Sequence, residues 1–231
     1  EFRRVLFRSP IDQALRLLPC PTLGEYTKVD EVPYDFVRKR LSVVVARRMP
    51  SGAIRRTMIT KGALRNVMNV CVDVRHQTGT GEPTGVPLDA VRARLLAQFE
   101  AASEQGYRVL GVAVRDVTSD PVIDASDEQL MTFVGFLLLE DPPKEGALDA
   151  IVALRSLGVS LKIITGDNRL VAGRMGRLMG LTRLNVLTGD ELRGLSDTAL
   201  VQRVGEVNVF AETEPNQKER ILGALRKAGH V

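Results

Sequence analysis

Apolar and polar positions change their rhythm near residue 130. Beyond it, continuous apolar runs alternate with stretches of helical period: a strand at 133–139 and a helix at 145–157, then a strand at 159–164 and a helix at 170–179. A short strand near Val186, a helix at 198–204, a strand at 207–210 and a helix at 217–228 complete the series. Apolar runs separated by helices predict a parallel sheet covered on both faces. Before residue 130 the pattern is mixed. Residues 41–46 and 54–60 read as paired strands around a Pro50-Ser51-Gly52 turn. Helical period appears at 10–18, 63–70 and 88–104, the last with Val91, Leu95, Leu96 and Phe99 on one face. Residues 108–114 read as a further strand, and 78–87, rich in Gly, Pro and Thr, as a loop. The expected fold is an α+β domain over 10–130 followed by an α/β parallel-sheet domain over 131–231.

Composition narrows this picture. In 231 residues, 44% are hydrophobic and 26% charged, which excludes whole-chain disorder. The longest strand-like apolar run, 133–139, is far short of the roughly 20 residues that a bilayer requires, so no membrane span is expected. Net charge is +4, and residues 1–9 supply part of it with three Arg and one Glu. That balance, with 4% aromatic residues and no Trp, argues against a nucleic-acid partner. Cys20 and Cys71 have no partner pattern and read as reduced thiols. Residues 1–9 read as a cloning scar and are set aside. The chain opens without Met, and 224–229 reads as a helix stopping at Gly229 just before His230-Val231 begins another strand. A piece of a longer polypeptide is therefore expected.

In parallel sheets chemistry sits just beyond the carboxyl ends of the strands. Thr165-Gly166-Asp167 follows the run at 160–164, where a hydroxyl and free N–H groups suit a phosphate. A plain turn capped by Asp167 or Asn168 would look the same. The tripeptide recurs at Thr188-Gly189-Asp190, but only the first copy follows a full-length apolar strand, so it is preferred. Lys218 starts the last helix, where it would offset phosphoryl charge or simply face water. Asp141-Pro142-Pro143-Lys144 reads as a stiff loop or an interdomain hinge. In Lys61-Gly62-Ala63 the glycine permits close approach of a ligand to the backbone, and the lysine can meet a phosphate or a base edge. Phe36 lies in the polar, basic stretch 35–40, an unusual setting for a core residue and a suitable platform for adenine. Arg108 opens a strand, where a surface salt bridge is the alternative role. The loop at 78–85 lacks the Gly-Lys-Ser/Thr ending and the preceding strand of a phosphate-cradling loop. His76 and His230 have no metal-ligand spacing around them.

Taken in order, Phe36, Lys61-Gly62-Ala63, Arg108, Asp141-Pro142-Pro143, Thr165-Gly166-Asp167 and Lys218 resemble the P-type cation-transporting ATPases. Within that family the chain is most similar to the bacterial magnesium-transporting subgroup, through residues 29–36 (VDEVPYDF) running into 40–45 (RLSVVV), 61–64 (KGAL), 86–89 (VPLD) and 210–220 (FAETEPNQKER). The resemblance implies a nucleotide-binding domain followed by an incomplete phosphorylation domain of haloacid-dehalogenase-like fold. It implies that Phe36 stacks on adenine, that Lys61 and Gly62 line the base and phosphate side, and that Arg108 reaches the phosphates. Asp12 matches an acidic residue contacting the base, and Asp141 would sit at the hinge near the ribose. Thr165 and Gly166 would hold the transferred phosphoryl group while Lys218 balances its charge and Asp167 supports the loop. Phe36, Lys61 and Thr165 would thus serve one ATP molecule. The implied cofactors are ATP and Mg2+, with metal ligands outside this stretch. The implied partners are the actuator and transmembrane domains of the same polypeptide, at the cytoplasmic face of the plasma membrane.

Departures from the family pattern matter as much. The 231 residues contain no Asp-Lys-Thr-Gly nucleophile motif and no Gly-Asp-Gly-x-Asn-Asp magnesium motif. Glu212 stands where many relatives carry Arg. Phosphoryl transfer needs a nucleophile, a metal and positioning groups together, so nucleotide binding without a phosphoenzyme is expected of this stretch. A soluble phosphatase of the same superfamily would need its own Asp-x-Asp, which is not found. A stand-alone nucleotide-binding module would be expected to start and stop at domain boundaries.

Overall fold

A computed structural model describes residues 23–76, 84–118 and 122–230. The helix expected at 10–18, Asp12, Cys20, the stretch 1–9 and most of the loop at 78–87 lie outside the described residues. The described residues group into two units. One holds residues up to Ala93 together with Leu110–Leu139, and the other holds Arg94–Val109 and the chain from Glu140 onward.

The first unit is built on a seven-stranded sheet. Its strands are β1 (Tyr26–Val32), β2 (Arg40–Arg48), β3 (Ile54–Ala63), β4 (Cys71–His76), β5 (Thr84–Pro87), β6 (Arg108–Val117) and β7 (Met131–Leu139), in the order β1-β2-β3-β6-β7-β4-β5. All pairings with an assigned register are antiparallel except β4 with β7. Alternation places Ser42, Val44, Met58, Thr60 and Ala113 on one buried face, with Met131 and Phe133 also in the interior. The short helix α1 (Leu64–Met68) buries Leu64, Val67 and Met68. Gly111 makes room for it: a Cβ there would stand 3.2 Å from Leu64 and Val67 and 3.3 Å from Phe133. The helix α2 (Leu88–Glu104) matches its expected span.

Two expectations are corrected. The apolar run at 133–139 does not open the parallel sheet but belongs to β7, which lies between β6 and β4 of the larger sheet. An apolar run of strand length reads the same in either kind of sheet, so periodicity cannot say which strands flank it. Residues 84–87 are strand rather than loop, because Val74 and Val86 pair across a β4–β5 ladder.

A buried charge ties this unit together. The Glu128 side chain is 0% exposed and forms ion pairs with Arg38 (2.6 Å) and Arg40 (2.7 Å). Ser42 donates its hydroxyl to Glu128 Oε1 at 2.7 Å. Having spent its one hydrogen there, Ser42 accepts from the Thr60 hydroxyl, also at 2.7 Å. Burial pushes the Glu128 carboxyl up, but the hydrogen bonds from Arg38, Ser42 and Arg40 outweigh it and hold the group below the usual glutamate range.

The second unit carries a three-stranded parallel sheet: β8 (Ile163–Ile164), β9 (Val186–Thr188) and β10 (Val209–Ala211), in the order β8-β10-β9. Helices α3 (Ala147–Ser156), α4 (Arg169–Leu178), α5 (Gly189–Arg193), α6 (Asp197–Arg203) and α7 (Pro215–Lys227) complete it. Leu187 and Phe210 pack on one face with Leu192, Leu200, Ile221 and Leu225, while Val209 and Ala211 pack on the other with Ala172 of α4. β8 is shorter than the expected 159–164 because Val159 stays exposed and only Ile163 and Ile164 pair with β10. Asn168 caps α4 by accepting from the N–H groups of Leu170 and Val171.

Two tests follow from this packing. Replacing Glu128 by Ala leaves two arginines without their shared anion, and urea unfolding is expected to show a loss of about 3–5 kcal/mol at neutral pH. The folded pKa of Glu128 lies below the unfolded value of about 4.3, so its contribution is present above that pH and lost as pH falls through the folded value. Glu128→Ala is therefore also expected to flatten the acid limb of the stability curve, and an unchanged limb would count against the network. Burial, with Asp73 adding to it, pushes the Cys71 thiol up to about 12. Peptide-resolved alkylation with iodoacetamide is expected to leave Cys71 unmodified in the folded protein at pH 8 and to label it in urea; rapid labelling of the folded chain would contradict its burial.

Candidate functional site

The candidate residues of the first unit lie at one end of the β2–β3 hairpin. β1 ends at Val32, and the chain turns through Pro33-Tyr34-Asp35-Phe36-Val37-Arg38 before entering β2 at Arg40. Asp35 organises the turn. Its Oδ1 accepts from the N–H groups of Val37 (2.8 Å) and Arg38 (2.6 Å), and its carbonyl accepts from the N–H of Lys39 at 2.9 Å. The backbone bonds, led by that from Arg38, hold the Asp35 carboxyl below its ordinary range. Lys39 adopts a left-handed φ of 51°, which lets the chain leave the turn and join β2. Phe36 is 54% exposed and meets the Tyr34 ring edge-on, with centroids 5.5 Å apart. It is therefore no core residue.

Lys61 and Gly62 lie directly across the hairpin from this turn. Leu41 pairs with Lys61 and Arg40 with Gly62, while Lys61 pairs on its other side with Val112 of β6. Leu41, Lys61 and Val112 thus share the sheet face opposite the buried one. Gly62 is required by close approach: a Cβ there would overlap the Lys39 carbonyl and the Arg40 backbone. The Ala63 N–H donates to that same carbonyl at 2.9 Å. The structure thus stitches the Phe36 turn to the Lys61-Gly62 strand.

In the second unit, Thr165, Gly166 and Asp167 follow β8 at the carboxyl end of the parallel sheet. The Thr165 hydroxyl donates to Asp167 Oδ2 at 2.9 Å and accepts from the Asp167 N–H at 3.1 Å. Asp167 Oδ1 also receives Arg108, at 2.7 Å from Nε and 2.6 Å from Nη2. Nearby, Asn168 donates to the buried Ser103 hydroxyl at 3.1 Å. Arg108, Thr165 and Asp167 are thus directly linked. The loop after β10 closes over this turn. Glu212 N–H donates to the Asp167 carbonyl (2.8 Å), Thr213 N–H and hydroxyl both donate to the Thr165 carbonyl (3.0 and 2.9 Å), and Glu212 holds a left-handed φ of 57°. A non-glycine residue in that conformation is uncommon and marks a tightly determined loop.

The second Thr-Gly-Asp is a different object. Thr188 forms a capping box with Glu191 at the start of α5, and a Cβ on Gly189 would overlap the Glu212 carbonyl and crowd Gln217. Gln217 is buried and donates to the Gly189 carbonyl at 2.8 Å. Lys218, next along the first turn of α7, is exposed and joins no ion pair among the described residues. Asp141 is also exposed, two residues beyond β7, where the chain passes from one unit to the other. Among the described residues, neither is hydrogen-bonded to Thr165, whose hydroxyl is engaged with Asp167. Among the described residues no group of three His, Cys, Asp or Glu side chains is placed to hold a metal, and no helix is long and apolar enough to cross a membrane. Sequence reasoning missed Arg38, Arg40 and Glu128. The run Arg38-Lys39-Arg40 signals a charged turn, but nothing local marks Glu128 as its partner.

Comparison with known proteins bears on this arrangement. The family model of the P-type ATPase cytoplasmic domain N matches residues 22–146, more than half of the chain. The chain is 38% identical over 233 residues to a magnesium-transporting ATPase, P-type 1, of Salmonella typhimurium, covering 97% of this chain and 25% of that protein. It is 36% identical to a magnesium-transporting ATPase, P-type 1, of Escherichia coli strain K12, covering 90% of this chain and 22% of that protein. A calcium-transporting ATPase 1 of Bacillus cereus is 29% identical over 89% of the chain and 22% of its own length. The chain spans about a quarter of the length of these relatives. With an exposed aromatic turn bound to a lysine-bearing strand inside the matched region, this chain belongs to the P-type ATPase family and contains its cytoplasmic N domain.

Proposed function

We propose that this chain is the ATP-binding cytoplasmic portion of a magnesium-transporting P-type ATPase, in which ATP phosphorylates an aspartate and the membrane part moves the cation. One observation carries the reading: inside the region matched to the N domain, Phe36 stands exposed on a turn bonded to the Lys61-Gly62 strand. An exposed ring on a braced turn suits stacking of adenine. The apolar neighbours Leu41 and Val112 offer a floor for a base, and Lys61 supplies positive charge beside it. Asp12, outside the described residues, is proposed to contact the base as well.

The second unit is proposed to be the phosphorylation-domain part, of haloacid-dehalogenase-like fold, beginning at the Asp141 hinge beside the ribose. Its parallel sheet, with Thr165-Gly166-Asp167 at the carboxyl end of β8, supports this reading. β8 is an edge strand, and Leu148, Val152 and Leu157 in and just after α3 are exposed, as suits a sheet whose neighbours lie elsewhere in a longer polypeptide. Thr165 and Gly166 are assigned to the transferred phosphoryl group, Lys218 to its charge and Asp167 to the loop. Arg108, paired with Asp167 here, is assigned to the nucleotide phosphates. Mg2+ is proposed to accompany ATP and to lower the charge on its phosphates. The described residues do not fit a resident magnesium site, since their carboxylates form no convergent trio. The chain's own residues bind and orient the nucleotide.

Calorimetric titration with ATP tests the base platform. Phe36→Ala is expected to weaken binding by about tenfold, since a stacked base is worth about 1–3 kcal/mol. Arg108→Met is expected to weaken ATP more than AMP. Equal affinities in parent and Phe36→Ala would refute the assignment. Incubation of the 231-residue chain with γ-labelled ATP is expected to leave no acid-stable label, because it contains no Asp-Lys-Thr-Gly; a labelled aspartate within it would overturn that division of labour.

A further inference from the structure

The Phe36 turn lacks an apolar anchor. Tyr34, Phe36 and Val37 are 48%, 54% and 87% exposed, so burial does little to fix their backbone. The turn is held by polar bonds: those to Asp35 close it, and the Arg38 side chain ties it to the interior. Its Nη2 donates to the Pro33 carbonyl at 2.7 Å, its Nε pairs with Asp35, and its Nη1 meets Glu128 Oε2 at 2.6 Å. The guanidinium fork therefore clasps the start of the turn with two arms and fixes the third to the interior.

We propose that Glu128 is a positioning residue for nucleotide binding: through Arg38 it holds the Phe36 platform in its binding geometry without touching the ligand. The reading of Phe36 as a base platform underlies this step. Three observations support it. Glu128 has 0% side-chain exposure and lies 90 residues from Arg38 in the chain, so it is an interior post rather than a surface partner. The same Oε2 receives Arg40 at 2.7 Å, and Oε1 receives Ser42, so one carboxylate fixes both the turn and the first residues of β2. Arg40 pairs with Gly62, beside Lys61, so movement of this post would disturb both halves of the base site at once. A mobile turn must be ordered when ligand binds, and that entropy is subtracted from affinity.

The chain has no Trp, so Phe36→Trp supplies a single indole on the turn, which can be excited apart from the tyrosines. In that background, Glu128→Gln keeps the side-chain shape but removes the charge. Arg38→Ala cuts the tether while Arg40 and Ser42 still satisfy Glu128, which guards against a fold defect. Both are expected to lower the fluorescence anisotropy of the introduced indole and to weaken ATP binding by about tenfold, with a cooperative melt retained by Arg38→Ala. A purely structural role would change the melt but leave the anisotropy and affinity of the folded fraction at parental values, and that result would overturn the proposal. If the indole of the Phe36→Trp parent does not respond to ATP at all, the nucleotide reading itself fails, and the positioning role falls with it. If the parent responds and both variants match it, only the tether is refuted.

Discussion

A carboxylate removed from water must be neutralised where it stands, and Glu128 meets that demand with two guanidinium groups and a hydroxyl. The arrangement is directional as well as neutralising. Each donor comes from a different part of one short stretch: Arg38 from the turn, Arg40 from the start of β2 and Ser42 from its buried face. Their fixed geometry relative to one carboxylate decides how the chain leaves β1, how it enters β2, and where Phe36 is presented.

Close backbone approach is the second constraint. At Gly62 the β3 backbone lies against the Lys39 carbonyl, and at Gly189 the start of α5 lies against the Glu212 carbonyl. In neither place does the glycine serve a left-handed turn. It is present because a methyl group has nowhere to go. The loop 33–39 in one unit, which carries Phe36, and the loop 212–214 in the other, which closes over the Thr165-Gly166-Asp167 turn, are each held against a glycine in this way. Lys39 and Glu212, which take a left-handed φ without being glycine, sit in those same loops; Leu130, just before β7, is a further such residue outside them.

The bond between Arg108 and Asp167 gives the second unit its local electrostatics. Asp167 accepts from Arg108, and the Thr165 hydroxyl donates to the same carboxyl group. Glu212 adds a further negative group beside this turn and receives the Arg169 N–H at 3.2 Å. An anion entering here would meet Arg108 already engaged by Asp167, with the Glu212 carboxylate beside it, so binding through Arg108 would require that arginine to be shared or exchanged.

Much of this was legible in the residues themselves. The hairpin of β2 and β3, the helix α2 and the alternation of strands and helices after Glu140 follow from periodicity, because each element buries one face or two and its pattern says which. Phe36 announced itself as an apolar ring among charges, and Thr165-Gly166-Asp167 as a polar turn after an apolar strand. The sheet to which β7 belongs, the strands β1, β4 and β5, and the difference between the two Thr-Gly-Asp copies were decided only by tertiary structure. A strand's neighbours are chosen by the whole sheet, and the same tripeptide caps a helix at Thr188 and meets Arg108 at Asp167 only because of what surrounds each copy. Glu128 is the clearest instance: its residue type predicts a solvated surface, and only partners brought from 86 to 90 residues away make its burial possible.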